Sequence, residues 1–190
     1  MVELVGTMNR GIINTGLCKK AARFAQERHA KQQRKYTGEP YFNHLVEVAV
    51  TLDWAGEDEA TVCAGFLHDT LEDTDTTFFE IGEHFGLEVA TLVDMVTDIA
   101  PSGGLNRARR KELERNHLRN ASPAGKSLKL ADLLSNTPSI MERDPKFGRV
   151  YLEEKRLLLP FLREGNPVLY RMASNVLQRF AAENPEQPQR

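Results

Sequence analysis

The sequence predicts an all-α helical bundle. Apolar residues recur at spacings of three and four along almost the whole chain, which is the helical period, whereas Val and Ile rarely alternate with polar neighbours as half-buried strands require. The length, 190 residues, suits one packed core rather than two. With 41% hydrophobic and 27% charged residues the composition is that of a soluble globular chain, which excludes disorder and fibrous repeats. We therefore expect a single domain over residues 1–190, its core spanning roughly 15–182 and a polar tail at 183–190 frayed.

Each element follows from local signals. Leu17, Ala21, Phe24 and Ala25 form one stripe on a first helix, with Asn14 or Thr15 as N-cap and an end near Lys31. Tyr36, Thr37, Gly38, Glu39 and Pro40 then break it. Tyr41, Leu45, Val48 and Leu52 repeat at i, i+4, i+7 and i+11, giving a second helix from Pro40 at its N1 position to about Trp54. A third helix carries Val62, Cys63, Phe66, Leu67 and Leu71. Thr77, three residues before Glu80, has the spacing of a capping box and starts a fourth. Val89, Leu92, Val93 and Val96 place another helix within residues 86–97, and residues 99–104 read as a flexible connection. After the strongly charged residues 106–119, Ser122 and Pro123 look like N-cap and N1 of a helix that Pro138 should stop. Two more helices, about 147–162 and 167–182, precede the tail.

Charge and patterning narrow the partners. The 25 Lys and Arg against 27 Asp and Glu leave a net charge of -2, so no bulk positive field invites a DNA or RNA duplex or an anionic membrane. No apolar run approaches the roughly 20 residues that cross a bilayer. The first residues carry neither a basic n-region nor an apolar h-region, so a cytoplasmic location is expected. Cys18 and Cys63 form no C-x-x-C pair and lie among Ala, Leu and Phe, which suits buried free thiols.

Chemistry concentrates in three places. His68, Asp69, Glu72 and Asp73 put four metal-competent or acid/base groups in six positions. On a continuous helix His68 lies over Glu72, and Asp69 over Glu72 and Asp73, forming one patch. Three carboxylates in one patch repel, a divalent cation relieves the repulsion, and imidazole beside carboxylate suits manganese, iron or zinc. The plainer alternative, a solvated acidic helix end, has no need of a His beside a Leu-rich run. His44, alone on the apolar side of its helix, reads by itself as a satisfied core residue. Lys129, Asp132 and Asn136 recur at i, i+3 and i+7 against leucines; a buried Asp132 needs a cation, and Lys129 and a metal are equally open.

Taken together, His44, His68 with Asp69, and Asp132 resemble the spaced H…HD…D pattern of the HD phosphohydrolase superfamily. Arg34, Lys35, Gly38, Pro40, Tyr41 and His44 are similar to the R-K-x-x-G-x-P-Y-x-x-H motif of the RelA/SpoT hydrolase domain. Residues 68–74 match its H-D-x-x-E-D-T motif, and Lys129, Leu130, Ala131 and Asp132 with Asn136 match K-L-A-D-x-x-x-N. The Ser122-Pro123 lead is most like the stand-alone small alarmone hydrolases. The resemblance implies an HD-domain bundle that uses manganese to remove the 3′-diphosphate of ppGpp or pppGpp, releasing pyrophosphate and GDP or GTP, with no synthetase attached.

The same resemblance implies residue roles. His44, His68, Asp69 and Asp132 become metal ligands, Glu72 and Asp73 activate and orient water, Arg34, Lys35 and Lys129 line the diphosphate path, and Asn136 lies near the nucleoside. Apart from the resemblance, the basic run Arg107, Arg109, Arg110 and Lys111 reads either as a solvated helix face or, following a connection rich in glycine, as a segment that meets the 5′ end of this small-molecule nucleotide, Arg110 in particular. The chain departs from the pattern at Leu45, where proline is usual, at Leu133 and Ser135, where Arg and an aromatic or His are usual, and at Thr137-Pro138, where a nearby Arg is lost. The departures from position 133 onward fall on the nucleoside side. Adenosine alarmones, the 2′-phosphate of NADPH, and a catalytically idle nucleotide-binding module are the alternatives.

Overall fold

The computed structural model describes residues 11–98 and 104–183. Ten α-helices follow in order: α1 Gly16–Arg28, α2 Phe42–Ala55, α3 Glu59–Leu67, α4 Thr70–Asp73, α5 Phe78–Phe85, α6 Leu87–Val96, α7 Arg107–Arg119, α8 Pro123–Arg143, α9 Pro145–Leu158 and α10 Pro167–Glu183. Short 3-10 turns at Ile12–Asn14 and Leu159–Leu162 complete the order. The described residues form no strand, only an isolated bridge between Gln33 and Pro40, as an all-α reading requires. The start of the chain, most of the expected connection at 99–104 and nearly all of the tail lie outside the described residues. No helix among those described is long and apolar enough to cross a membrane.

The caps are those the side chains dictate. Thr15, rather than Asn14, accepts from the Cys18 amide at 3.2 Å, Thr77 from Glu80 at 3.2 Å, and Ser122 from Gly125 at 3.1 Å, each satisfying a donor the helix start leaves free. The second helix begins two residues later than its proline suggested. Pro40 instead closes a loop in which the Arg34 amide donates to Glu39 and the Tyr41 amide to Gln32, with Gly38 at φ 73 making the turn.

Two further expectations fail, one for a local reason and one through packing. The third helix does not run through to Leu71: it ends at Leu67, and a separate turn, α4, follows. His68 Nδ1 donates to the Gly65 carbonyl at 2.9 Å and Thr70 Oγ1 to the Leu67 carbonyl at 2.6 Å, so side chains take acceptors at the helix end. Pro138 does not stop α8, which continues to Arg143. The proline lacks the N–H that would bond Leu134, a loss of about 3 kcal/mol in an isolated helix. Packing of α8 against α2, α9 and α10 holds it helical, and Thr137 Oγ1 donates to the Leu133 carbonyl at 2.6 Å just before the proline.

α3 is the centre of the bundle, packed against α1, α2, α6 and α8, with residues 61–67 all buried. Cys18 and Cys63 meet there as buried free thiols, Sγ to Sγ 3.1 Å. The α2–α3 seam is set by Gly65: a Cβ on it would lie 2.9 Å from Leu52 Cδ1 and 3.0 Å from the Ala49 Cα. Because one obstacle is backbone, Gly65→Ala must push the helices apart. We expect it to destabilise by about 1–3 kcal/mol through overpacking, outweighing alanine's better helix propensity. Thermal denaturation checks this, and an unchanged or higher midpoint contradicts it.

Candidate metal centre

Three elements bring four groups to one point. His44 comes from the first turn of α2, His68 and Asp69 from the break between α3 and α4, and Asp132 from the middle of α8. His68 Nε2 lies 3.1 Å from Asp69 Oδ2 and 3.8 Å from Asp132 Oδ1; His44 Nε2 lies 3.6 and 3.4 Å from the same two oxygens. The His44, His68 and Asp69 ligand atoms fall within 4.8 Å of one another. Both imidazoles are almost fully buried.

The donor set fits a divalent ion. Each imidazole has its Nδ1 engaged, His68 on the Gly65 carbonyl and His44 on Ser135 Oγ at 2.8 Å, while both Nε2 atoms are buried with no hydrogen-bond partner. Buried polar atoms are rarely left so. Two orphaned nitrogens converging on two carboxylates suit a first-row ion, whose charge the two carboxylates would balance.

Protonation tells the same story. Burial opposes charge on His68, but Asp69 and Asp132 outweigh it and raise its pKa to about 10. His44 is also raised, burial again being outweighed by Asp132 and Asp69. Burial pushes Asp132 and Asp69 upward, yet Lys129 and the two imidazoles hold Asp132, and chiefly His68 holds Asp69, below the usual carboxylate range. In the protein alone, then, the carboxylates favour a proton on His68 where an ion would sit. Metal binding would expel it, so affinity should rise with pH by about tenfold per unit, levelling above the His68 value. Calorimetry in buffers of differing ionisation enthalpy measures the release; a binding heat independent of buffer contradicts it. For the metal-free fold the sign is reversed: His68 stabilises fully below its ordinary 6.5, and the contribution fades as pH climbs through about 10.

The other sequence-selected residues divide into groups. Lys129 Nζ sits 3.0 Å from Asp132 Oδ2 while Oδ1 faces the imidazoles, so the two partners proposed for Asp132 are compatible rather than exclusive. Glu72 and Asp73 do not stack under His68 and Asp69 on one helix, because the chain breaks between them. They stand solvent-exposed on α4, Glu72 accepting from the Asp98 amide at 3.3 Å and Asp73 from Gln32 Nε2 at 2.8 Å. Desolvation chiefly raises the Glu72 pKa, with help from Asp69.

Arg34 is buried and turned inward, Nη1 on Glu47 at 3.0 Å and Nη2 on Asn136 Oδ1 at 3.2 Å, and Asn136 Nδ2 donates to Asp132 Oδ1 at 2.6 Å. Both also line a small surface cavity with Lys35, Tyr36 and Tyr41. Lys35 is exposed, over the rings of Tyr36 at 5.0 Å and Phe147 at 5.8 Å. Arg107 also lies over Phe147, at 4.9 Å, so the first turn of α7 and Lys35 share one ring. Arg107 and Arg109 are paired with Glu154 and Glu112, and Lys111 with Glu114, whereas Arg110 Nε is buried with no partner.

Spacing had no means of marking Tyr41, whose hydroxyl donates to Asp69 Oδ2 at 2.7 Å, or Ser135 and Glu47 behind His44. Tyr41 enters the sequence reading as an apolar position and as a member of the R-K-x-x-G-x-P-Y-x-x-H motif, with no role of its own, although lying three before His44 makes the two near neighbours at the start of α2.

The profile of the HD-domain family matches residues 21–145. The chain belongs to the HD-domain family. Within it, this HD-domain chain is 40% identical over 136 residues to the guanosine-3′,5′-bis(diphosphate) 3′-pyrophosphohydrolase MESH1 of Xenopus tropicalis, covering 70% of this chain and 74% of that one. A protein of the same enzyme name from Aquifex aeolicus is 55% identical over 80 residues, which is 42% of this chain but only 11% of that much longer protein. A solved structure described as a metazoan orthologue of SpoT that hydrolyses ppGpp superposes with a TM-score of 0.78 at 28% identity, covering 87% of this chain and 96% of that one.

Proposed function

We propose that the protein is a manganese-dependent hydrolase that removes the 3′-diphosphate of ppGpp and pppGpp, leaving GDP or GTP and pyrophosphate. The observation that carries this reading is the pair of buried, unpartnered imidazole nitrogens facing Asp69 and Asp132. The likeness to MESH1 enzymes and to the SpoT orthologue supports the choice of substrate.

Bound at His44, His68, Asp69 and Asp132, the ion would supply Lewis acidity toward a phosphoryl oxygen and acidify water. Asp69 and Asp132 use up the charge of a 2+ ion, so the substrate's own negative charge falls to cationic side chains. Lys129, next to Asp132, the exposed Lys35 and Arg34 take that role at the scissile diphosphate, and Asn136, which steadies Asp132 and bonds Arg34, lies toward the nucleoside. Glu72 and Asp73 take the proton from the attacking water and orient it. The raised pKa of Glu72 brings it closer to a neutral-pH base. Arg110, with an unused buried donor, is the α7 residue for the substrate's 5′ end.

The test is product analysis. The protein incubated with ppGpp and manganese should yield GDP and pyrophosphate on ion-exchange chromatography, and little without the metal. Orthophosphate as the sole inorganic product, or faster cleavage of NADPH or of adenosine alarmones, would move the assignment to another reaction.

A further inference from the structure

His44 is held by more than its own helix. Its Nδ1 is 2.8 Å from Ser135 Oγ, and that hydroxyl in turn donates to Glu47 Oε2. A serine hydroxyl has one proton. With that proton on the carboxylate, Ser135 must accept from His44, which fixes the Nδ1–H tautomer and leaves the Nε2 lone pair aimed at Asp69 and Asp132.

The relay does not end at Glu47. The same Oε2 accepts from Arg34 Nη1 at 3.0 Å; Arg34 Nη2 donates to Asn136 Oδ1, and Asn136 Nδ2 to Asp132 Oδ1. A chain of hydrogen bonds therefore runs from His44 on one ligand-bearing helix, α2, to Asp132 on the other, α8. Donors from both sides, Ser135 and Arg34, converge on Glu47, so each bond has a defined direction. His68 is anchored differently, by a main-chain carbonyl that no side-chain substitution removes.

We propose that Ser135 and Glu47 are positioning residues for the metal: a carboxylate–hydroxyl pair that orients His44 and sets its tautomer. The proposal rests on the metal reading above. It gives a task to Ser135, at one of the positions where the chain departs from the pattern it resembles, and to Glu47, a carboxylate that α2 places one turn beyond His44. Partners of this kind, one hydrogen bond behind a ligating imidazole, change metal affinity by about 10–100-fold when removed.

The experiment measures manganese affinity directly, from the electron paramagnetic resonance signal of free Mn2+, alongside the melting temperature of the metal-free protein. Ser135→Ala should weaken binding at least tenfold with little change in metal-free melting, Ser135→Thr should restore it by keeping the hydroxyl, and Glu47→Gln should fall between. Binding by Ser135→Ala within twofold of the parent overturns the relay. So does a loss that Ser135→Thr fails to recover, which would mark the site as one of packing. A parent protein that takes up no Mn2+ removes the metal reading and the relay together.

Discussion

Asp69→Asn is expected to abolish stoichiometric ion binding and to lower the proposed ppGpp hydrolysis by about a thousandfold or more. Asp69 Oδ2 is the oxygen nearest His68 Nε2, at 3.1 Å, and is steadied by the Tyr41 hydroxyl. The amide keeps the shape but removes one of two negative charges. The other, Asp132, is already shared with Lys129. A 2+ ion would then sit beside a lysine with one carboxylate to balance both. A metal ion's contribution to the transition state is several kcal/mol, and about 1.4 kcal/mol is a factor of ten, which sets the size of the loss. Elemental analysis together with pyrophosphate release checks it; full metal content with near-parental turnover would falsify Asp69 as a ligand.

Glu72→Gln and Asp73→Asn separate chemistry from binding. Both side chains stand outside the His44, His68 and Asp69 cluster proposed to hold the ion, on a turn of their own, so each variant should retain metal while kcat drops by about 10²–10⁴-fold. KM should move much less, because the lost interaction belongs to proton transfer rather than to ground-state contact. Parental kcat in both variants would leave the water without a base among the groups assigned here. Metal loss in either would put that residue among the ligands.

What could be read from the sequence was what local spacing encodes. Stripes such as Tyr41, Leu45, Val48 and Leu52 placed a helix because burial on one face repeats every three to four residues. Ser122 and Thr77 marked helix starts because an oxygen there meets free amides within three residues. His44, His68, Asp69 and Asp132 could be chosen by residue type and motif, and the structure brings them together. The break after Leu67 was hidden because its cause is a choice by His68 and Thr70 between solvent and backbone carbonyls, which periodicity does not register. Pro138 misled because its local penalty is visible and the packing that overcomes it is not. The inward turn of Arg34 was equally out of reach, since one partner, Glu47, is on the next helix and the others, Ser135 and Asn136, lie about a hundred residues away.

Gly65 ties the spacing of the candidate metal centre to the hydrophobic core. Its missing side chain lets α2 and α3 approach as closely as they do, its neighbours across the seam are Ala49 and Leu52 on the helix that carries His44 in its first turn, and its carbonyl holds His68. One buried residue, itself no ligand, thus helps set the gap between two imidazole donors, so apolar substitutions that widen or narrow the seam should change the spacing of His44 and His68 while leaving the set of ligand residues the same.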